Sequence, residues 1–272
     1  MDFKVERNDI TKMTVDVVVL PANWRLVEGT GASMALFEAA GREELKAECA
    51  MRFEEAKKRN RRLVPGVSIL THAYALPSKA IMHTIVPKWR KDKSRKCYED
   101  LCKSYASALV LADEMGFESI AFPVLASGNN GFDADLAIDI ATESLKRYQP
   151  KHKLSQAYLV TFGSRITHKM RDRGYEVDEV IDQMHVLDQQ VHQADVVKND
   201  DHWEDRWKPE RTPAQKLFDD GIKWIVNPEN QKKILNAALD VALAVLSEED
   251  DAGTTKTVLG VIAPFVRGKG GK

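Results

Sequence analysis

Up to about residue 182 the sequence predicts an α/β layer fold. Short apolar runs rich in β-branched and aromatic residues alternate there with longer segments whose apolar residues recur at helical spacing. Glycine-containing loops follow two of the apolar runs and lead into helices. In chain order, strands are expected at 3–7, 15–20, 66–73, 80–86, 119–124 and 157–162. Between them helices are expected at 33–40, 42–59, 98–115 and 134–148, with a last one near 166–173. In the helix at 98–115, Leu101, Tyr105, Ala108, Leu109 and Ala112 form one apolar face to pack on a sheet, and Gly116 stops it.

The 272 residues include 40 Lys+Arg and 41 Asp+Glu, so the net charge of −1 supplies no global attraction to polyanions. A generic nucleic-acid-coating protein is therefore disfavoured, and composition excludes collagen, coiled-coil arrays and disulfide scaffolds. The N-terminal stretch has no apolar core of a secretory signal, and no apolar run approaches the roughly 20 residues that cross a bilayer. The segment 258–266 comes nearest but is short and broken by Gly260 and Pro264. Cys49, Cys97 and Cys102 match no usual zinc spacing and read as reduced thiols in packing or surface roles, so the expected compartment is cytoplasmic, with no metal, cofactor or membrane contact.

The pattern changes after residue 182. Residues 183–211 are polar, acidic and poor in aliphatics, and read as a linker or a strap packed on the first domain. Trp203 and Trp207 within it are expected as hydrophobic anchors rather than a ring-binding pair. Residues 212–272 read as a helical extension with a disordered Gly/Lys-rich tail from 267. Thr212-Pro213-Ala214-Gln215 and Asn227-Pro228-Glu229 are helix starts, and Ile234, Leu235, Ala238, Leu239, Ala242, Leu243 and Leu246 make an apolar stripe that needs a partner.

Two loops carry the chemistry. The run Asp16-Val17-Val18-Val19-Leu20-Pro21-Ala22-Asn23 leads through Gly29-Thr30-Gly31-Ala32-Ser33 into a helix. The run 119–125 leads through Ala126-Ser127-Gly128-Asn129-Asn130-Gly131-Phe132 into another. The carboxyl ends of buried strands are where open α/β sheets bind ligands. Glycines let backbone N–H groups approach an anion there, and a helix start adds partial positive charge. Two such loops could hold a diphosphate from both sides, with Phe132 free to stack on a ribose or ring. Neither is a P-loop or a dinucleotide fingerprint.

These residues resemble a macro domain. The resemblance rests on Asn8-Asp9-Ile10-Thr11, Leu20-Pro21-Ala22-Asn23, Ala39-Ala40-Gly41, Glu48-Cys49, Pro65-Gly66, Thr71-His72-Ala73, Leu76-Pro77, Ile81 to Pro87, and Phe122-Pro123 with Gly128 and Gly131-Phe132, in the family's order over residues 1–182. It implies a three-layer α/β/α fold with a mixed sheet and a cleft for ADP-ribose. On that resemblance, Asp9 and the Ile10 backbone would hold the adenine, and Asn23 would contact the distal ribose. Gly29, Gly31, Ala32 and Ser33 would form one phosphate and ribose loop. Ser127, Gly128, Asn129, Asn130 and Gly131 would form the other, and Phe132 would pack on the distal ribose. Hydrolytic members similar to this chain usually carry Gly-Gly-Gly-Val-Asp-Gly, and their aspartate position is Ser33 here. A serine can position water but has no carboxylate to take its proton. The Asn-Ala-Ala-Asn stretch of many members is reduced to Leu20-Pro21-Ala22-Asn23.

Plainer roles stand beside these. Asp9 can cap a turn with Thr11, His83 lies in an apolar strand as a core histidine would, Glu48 and Cys49 suit helix packing, and Trp24 lines the cleft or covers its edge. Two basic runs, 57–62 and 88–96, read as a solvated helix end and loop, or as a patch for an anionic polymer, RNA or poly-ADP-ribose. The leading expectation is a module binding ADP-ribose, an ADP-ribosylated macromolecule or O-acetyl-ADP-ribose, with weak hydrolysis at most, through water held by Asn23 and Ser33. The alternatives are a true metal-independent hydrolase or deacetylase, and a degenerate domain whose C-terminal helices recruit a protein.

Overall fold

The computed structural model describes residues 1–180 and Glu229, and the expectations for 183–211 and 212–272 lie outside the described residues, Glu229 aside. The chain runs β1 (Asp2–Arg7), β2 (Val17–Ala22), α1 (Ala32–Ala40), α2 (Arg42–Lys58), β3 (Ser68–His72), β4 (Ala80–Ile85), α3 (Ser94–Glu114), β5 (Ser119–Pro123), α4 (Ala134–Arg147), β6 (Gln156–Thr161), α5 (Ser164–Asp172) and β7 (Val177–Glu179). One sheet orders the strands β3-β4-β2-β5-β6-β1-β7. Only β3 is antiparallel to its neighbour, so the sheet is mixed.

The three layers follow from the two-residue period of the strands. In β2, Val17 and Val19 enter one core with Met82, Ile120, Phe122 and the inner faces of α3 and α4. Val18, Leu20 and Ala22 enter the other with Leu36 and Phe37 of α1 and Leu45 and Cys49 of α2. Central strands buried on both faces read as continuous apolar runs, as β2 does. Helix α3 begins four residues before the expected 98, because its first turn is polar and gives no apolar period. The Arg95–Glu99 and Lys96–Asp100 pairs there each join residues one turn apart. Gly116, at φ +73°, ends it as expected. The short β7 adds to the expected strands: three residues of Val-Asp-Glu carry no strand pattern, and pairing with β1 orders them.

Two buried carboxylates fasten the layers. Asp113, 1% exposed, accepts N–H bonds from Lys151, His152 and Leu154 and an O–H bond from Tyr148, fixing the link from α4 to β6. Glu48, 4% exposed, sits on α2 at the end of the sheet away from the strand carboxyl termini. It accepts from Arg52 (2.9 Å), the His72 backbone (3.0 Å), His72 Nδ1 (3.2 Å) and the Tyr74 hydroxyl (2.9 Å). Burial pushes its carboxyl up, but bonding to His72 and the charges of Arg52 and His72 outweigh that and hold it at about 2. His83 is fully buried against Thr71 Oγ1 at 2.9 Å and burial lowers it to about 4, which makes it the expected core histidine.

Because the folded pKa of Glu48 lies below its ordinary 4.5, its contribution is present above that pH and is lost as pH falls towards 2. About 2 kcal/mol of it should disappear between pH 7 and pH 3. Urea unfolding of the parent and Glu48→Gln at both pH values should show their stability difference shrinking by that amount. An unchanged difference would show that the carboxylate is not ionised and paired in the fold.

Candidate functional site

The sheet parts at its centre. β2 pairs with β4 over six residues and β5 with β6 over five, but β2 and β5 pair only at Val17–Ile120 and Val18–Ala121. Pro21 and Pro123, near the two carboxyl ends, have no N–H to extend that ladder. Beyond the split the chain leaves β2 for α1 on one face and β5 for α4 on the other. A crevice at such a reversal is where open α/β sheets take ligands.

The first loop is braced by its own side chains. Asn23 Nδ2 donates to Val27 O at 2.7 Å, and its Oδ1 accepts from the N–H groups of Arg25 and Val27. The residue expected to contact a ribose thus spends its amide on its own loop here. Ser33 is 3% exposed and its Oγ accepts the Gly29 N–H at 3.0 Å, so it pins the glycine segment to α1. Gly31, at φ +59°, takes the N-cap position of α1 with no side-chain cap, which leaves the N–H groups of Ala32, Ser33 and Met34 without an intrahelical partner. Helix α4 differs: the Asp133 carboxylate already accepts the N–H groups of Asp135 and Leu136. Of the two helix starts, α1 is the one open to an anion.

The second loop faces the first. Asn129 Nδ2 donates to Thr30 Oγ1 at 2.7 Å, a bond between residues 99 apart that joins the two loops. Ser127 folds back through its hydroxyl onto Val124 O, and Gly131 N–H closes a turn on Gly128 O. The backbone N–H of Trp89 donates to Asn130 O, and its ring packs edge-on against Phe132, ring centres 5.1 Å apart. Phe132 is 5% exposed, so it is not free to stack as expected: Trp89 already covers it. Gly128 is open: a Cβ there would meet nothing within 4 Å, and its φ is not in the left-handed range.

Asp9 follows β1, two strands beyond β5, roughly 10 Å along the sheet. Its Oδ1 accepts from Thr11 N–H (2.9 Å) and Thr11 Oγ1 (2.8 Å), the capping role foreseen as its plain alternative, and Ile10 beside it is buried. Between Asp9 and the glycine loops lies Phe162, at the end of β6 and 45% exposed. Neither Phe162 nor Trp89 is among the site residues that the sequence suggests. Phe162 closes an apolar run, and its exposure follows only from β6 ending at Thr161. Trp24 is 55% exposed and packs on Phe53 with Arg25 over its ring, so it covers the loop edge.

The site is therefore a set of backbone donors with a polar clamp and one exposed aromatic ring. Its nearby carboxylates have other roles: Glu28 is held by Arg42 (3.3 Å) and Lys46 (3.4 Å), and Asp133 caps α4 through Oδ1, its Oδ2 being buried. Among the described residues no three His, Cys, Asp or Glu side chains gather to hold a metal ion, and no helix is long and apolar enough to cross a membrane.

The family model described as Macro domain matches residues 19–141. An O-acetyl-ADP-ribose deacetylase from Escherichia fergusonii is 35% identical over 159 residues, 58% of this chain and 86% of the relative. A mutant Oceanobacillus iheyensis macrodomain solved with ADPR is 31% identical with TM-score 0.57, covering 62% of this chain and 89% of that one. The Trypanosoma brucei macrodomain in complex with ADP-ribose is 26% identical with TM-score 0.54, over 63% and 68%. With a mixed sheet between two helical layers and a deacetylase relative matched over most of its length, the chain belongs to the macro domain family.

Proposed function

We propose that the cleft binds ADP-ribose or a derivative of it, carried on a macromolecule or as O-acetyl-ADP-ribose, and that binding rather than turnover is its main work. The observation that carries this reading is the uncapped start of α1 facing the second glycine loop across the Asn129–Thr30 bond. A diphosphate placed there would receive N–H groups from both loops without any Lys or Arg. An occupant reaching from the loops past Phe162 to Asp9 must be extended over roughly 10–15 Å, two to three strand spacings, and have a ring at the far end. ADP-ribose has that shape and chemistry, and ADPR and ADP-ribose are named with the similar solved structures.

A hydrolytic reading has the deacetylase relatives in its favour. Against it stands the lack of a free carboxylate beside Ser33, whose hydroxyl already accepts the Gly29 N–H. Hydrolysis at this site would rely on water held by Asn23, Ser33 and the diphosphate itself, without a metal, and is expected to be slow.

Calorimetry with ADP-ribose on the full chain should show micromolar binding. Gly128→Glu should weaken it at least ~30-fold through charge repulsion and bulk, with little change in melting temperature, because the added side chain starts in open space. Equal binding by parent and variant would place the ligand elsewhere. In Ser33→Ala the Gly29 N–H loses its acceptor, so stability should fall by about 1 kcal/mol in urea unfolding. Release of ADP-ribose from modified protein should be slow in the parent and faster in Ser33→Asp. A parent that turns over quickly would make this chain a hydrolase first.

A further inference from the structure

The two basic runs lie 26 residues apart in sequence, 57–62 and 88–96, and the fold brings them to one corner. The first ends α2 and leads into β3; the second follows β4 directly. β3 and β4 are hydrogen-bonded neighbours, with Ser68 opposite Thr84, and the N–H of Gly66 donates to Ile85 O while that of Ile85 donates to Val67 O. Both runs therefore emerge at the carboxyl end of β4, the end that carries the cleft. Arg62 lies four positions before Gly66 and Lys88 three positions after Ile85, so the facing ends of the runs are at most about 30 Å apart. The second run is also tied to the cleft, since Trp89 donates to Asn130 of the second glycine loop.

Part of this charge is neutralised locally. Lys57 pairs with Glu54, Arg90 with Asp92, Arg95 with Glu99 and Lys96 with Asp100. Lys58, Arg62, Lys88, Lys91 and Lys93 are exposed and form no ion pair among the described residues. Like charges held together without neutralising partners repel one another, and a bound polyanion removes that cost. Within the two runs every residue but the half-buried Trp89 is polar and exposed, and Trp89 is turned to Phe132. The corner thus offers charge without apolar pockets. An acidic peptide gains specificity from side-chain pockets, whereas a phosphate backbone repeats its charge at every unit and needs only cations.

We propose that this corner is a nucleic-acid interface, gripping the phosphate backbone of a strand without reading its bases, next to the cleft and independently of what the cleft binds. With three to five cations engaged, a single strand should show log affinity falling with log salt at a slope of about −2 to −4.

Fluorescence anisotropy of the full chain with a labelled 20-nucleotide single-stranded RNA, between 50 and 200 mM salt, tests this against polyglutamate of matched charge. The parent should bind the RNA with that slope and prefer it to polyglutamate at least tenfold. Lys58→Glu/Arg62→Glu and Lys91→Glu/Lys93→Glu, each reversing two unpaired charges in one run, should each lose at least tenfold. ADP-ribose calorimetry on both variants should match the parent, which shows that they are folded. No RNA binding at 50 mM salt, equal binding of polyglutamate, or full affinity in either variant overturns the proposal. A parent that binds RNA but not ADP-ribose sinks the cleft reading and leaves the corner standing.

Discussion

The short ladder between β2 and β5 is the constraint on which this molecule depends. Elsewhere each neighbouring pair of parallel strands is free to run its hydrogen bonds to the end. Here Pro21 and Pro123 remove donors just where the ladder would continue, and the chain leaves for opposite faces of the sheet. The same strands that part at their tips are buried lower down. Val17, Val19, Ile120 and Phe122 fill one core, and Val18, Leu20 and Ala121 fill the other. Burial of each such side chain contributes roughly 1.5–3 kcal/mol, so the strands cannot drift while their ends stay open. A buried base with a parted tip lets two glycine-containing loops be held at a fixed separation.

The loops are held by bonds of their own rather than by a ligand. Asn23 braces 23–27, Ser33 pins Gly29, Asn129 reaches Thr30, and Trp89 backs the second loop through Asn130 and Phe132. Each bond is a modest net gain, because water would serve the same groups in the unfolded chain. Together they shape the backbone so that the N–H groups at the start of α1 remain unused. The carboxylates near the cleft have been committed elsewhere: Asp133 to α4, Glu28 to α2, Asp9 to Thr11. That leaves a site rich in donors and without a ready base, which suits holding a diphosphate more than breaking a bond.

Much of the layer order was legible because burial on both faces leaves an unmistakable mark. The continuous apolar run of β2, the helical stripe of α3 and the glycine stop at Gly116 each announced their element. Polar ends were not legible: the first turn of α3 and the whole of β7 carry no apolar period, and only ion pairs and pairing with β1 define them. Within the site, the glycine loops and Asp9 stood out by residue type and order. What their side chains do did not, since Asn23 and Phe132 are committed to Val27 and Trp89, partners whose proximity is a matter of loop path.

Sequence by itself determined that apolar strands alternate with amphipathic helices, that glycine loops follow two of those strands, and that the chain carries two basic runs. Those are properties of residue type and local period, which need no partner. The tertiary structure alone decided that the loops touch through Thr30 and Asn129, that Phe162 stands exposed between Asp9 and the loops, and that the basic runs share one corner. Each of these depends on which strands become neighbours. Strand order is set by how whole faces pack across the sheet, and no local stretch of sequence carries it.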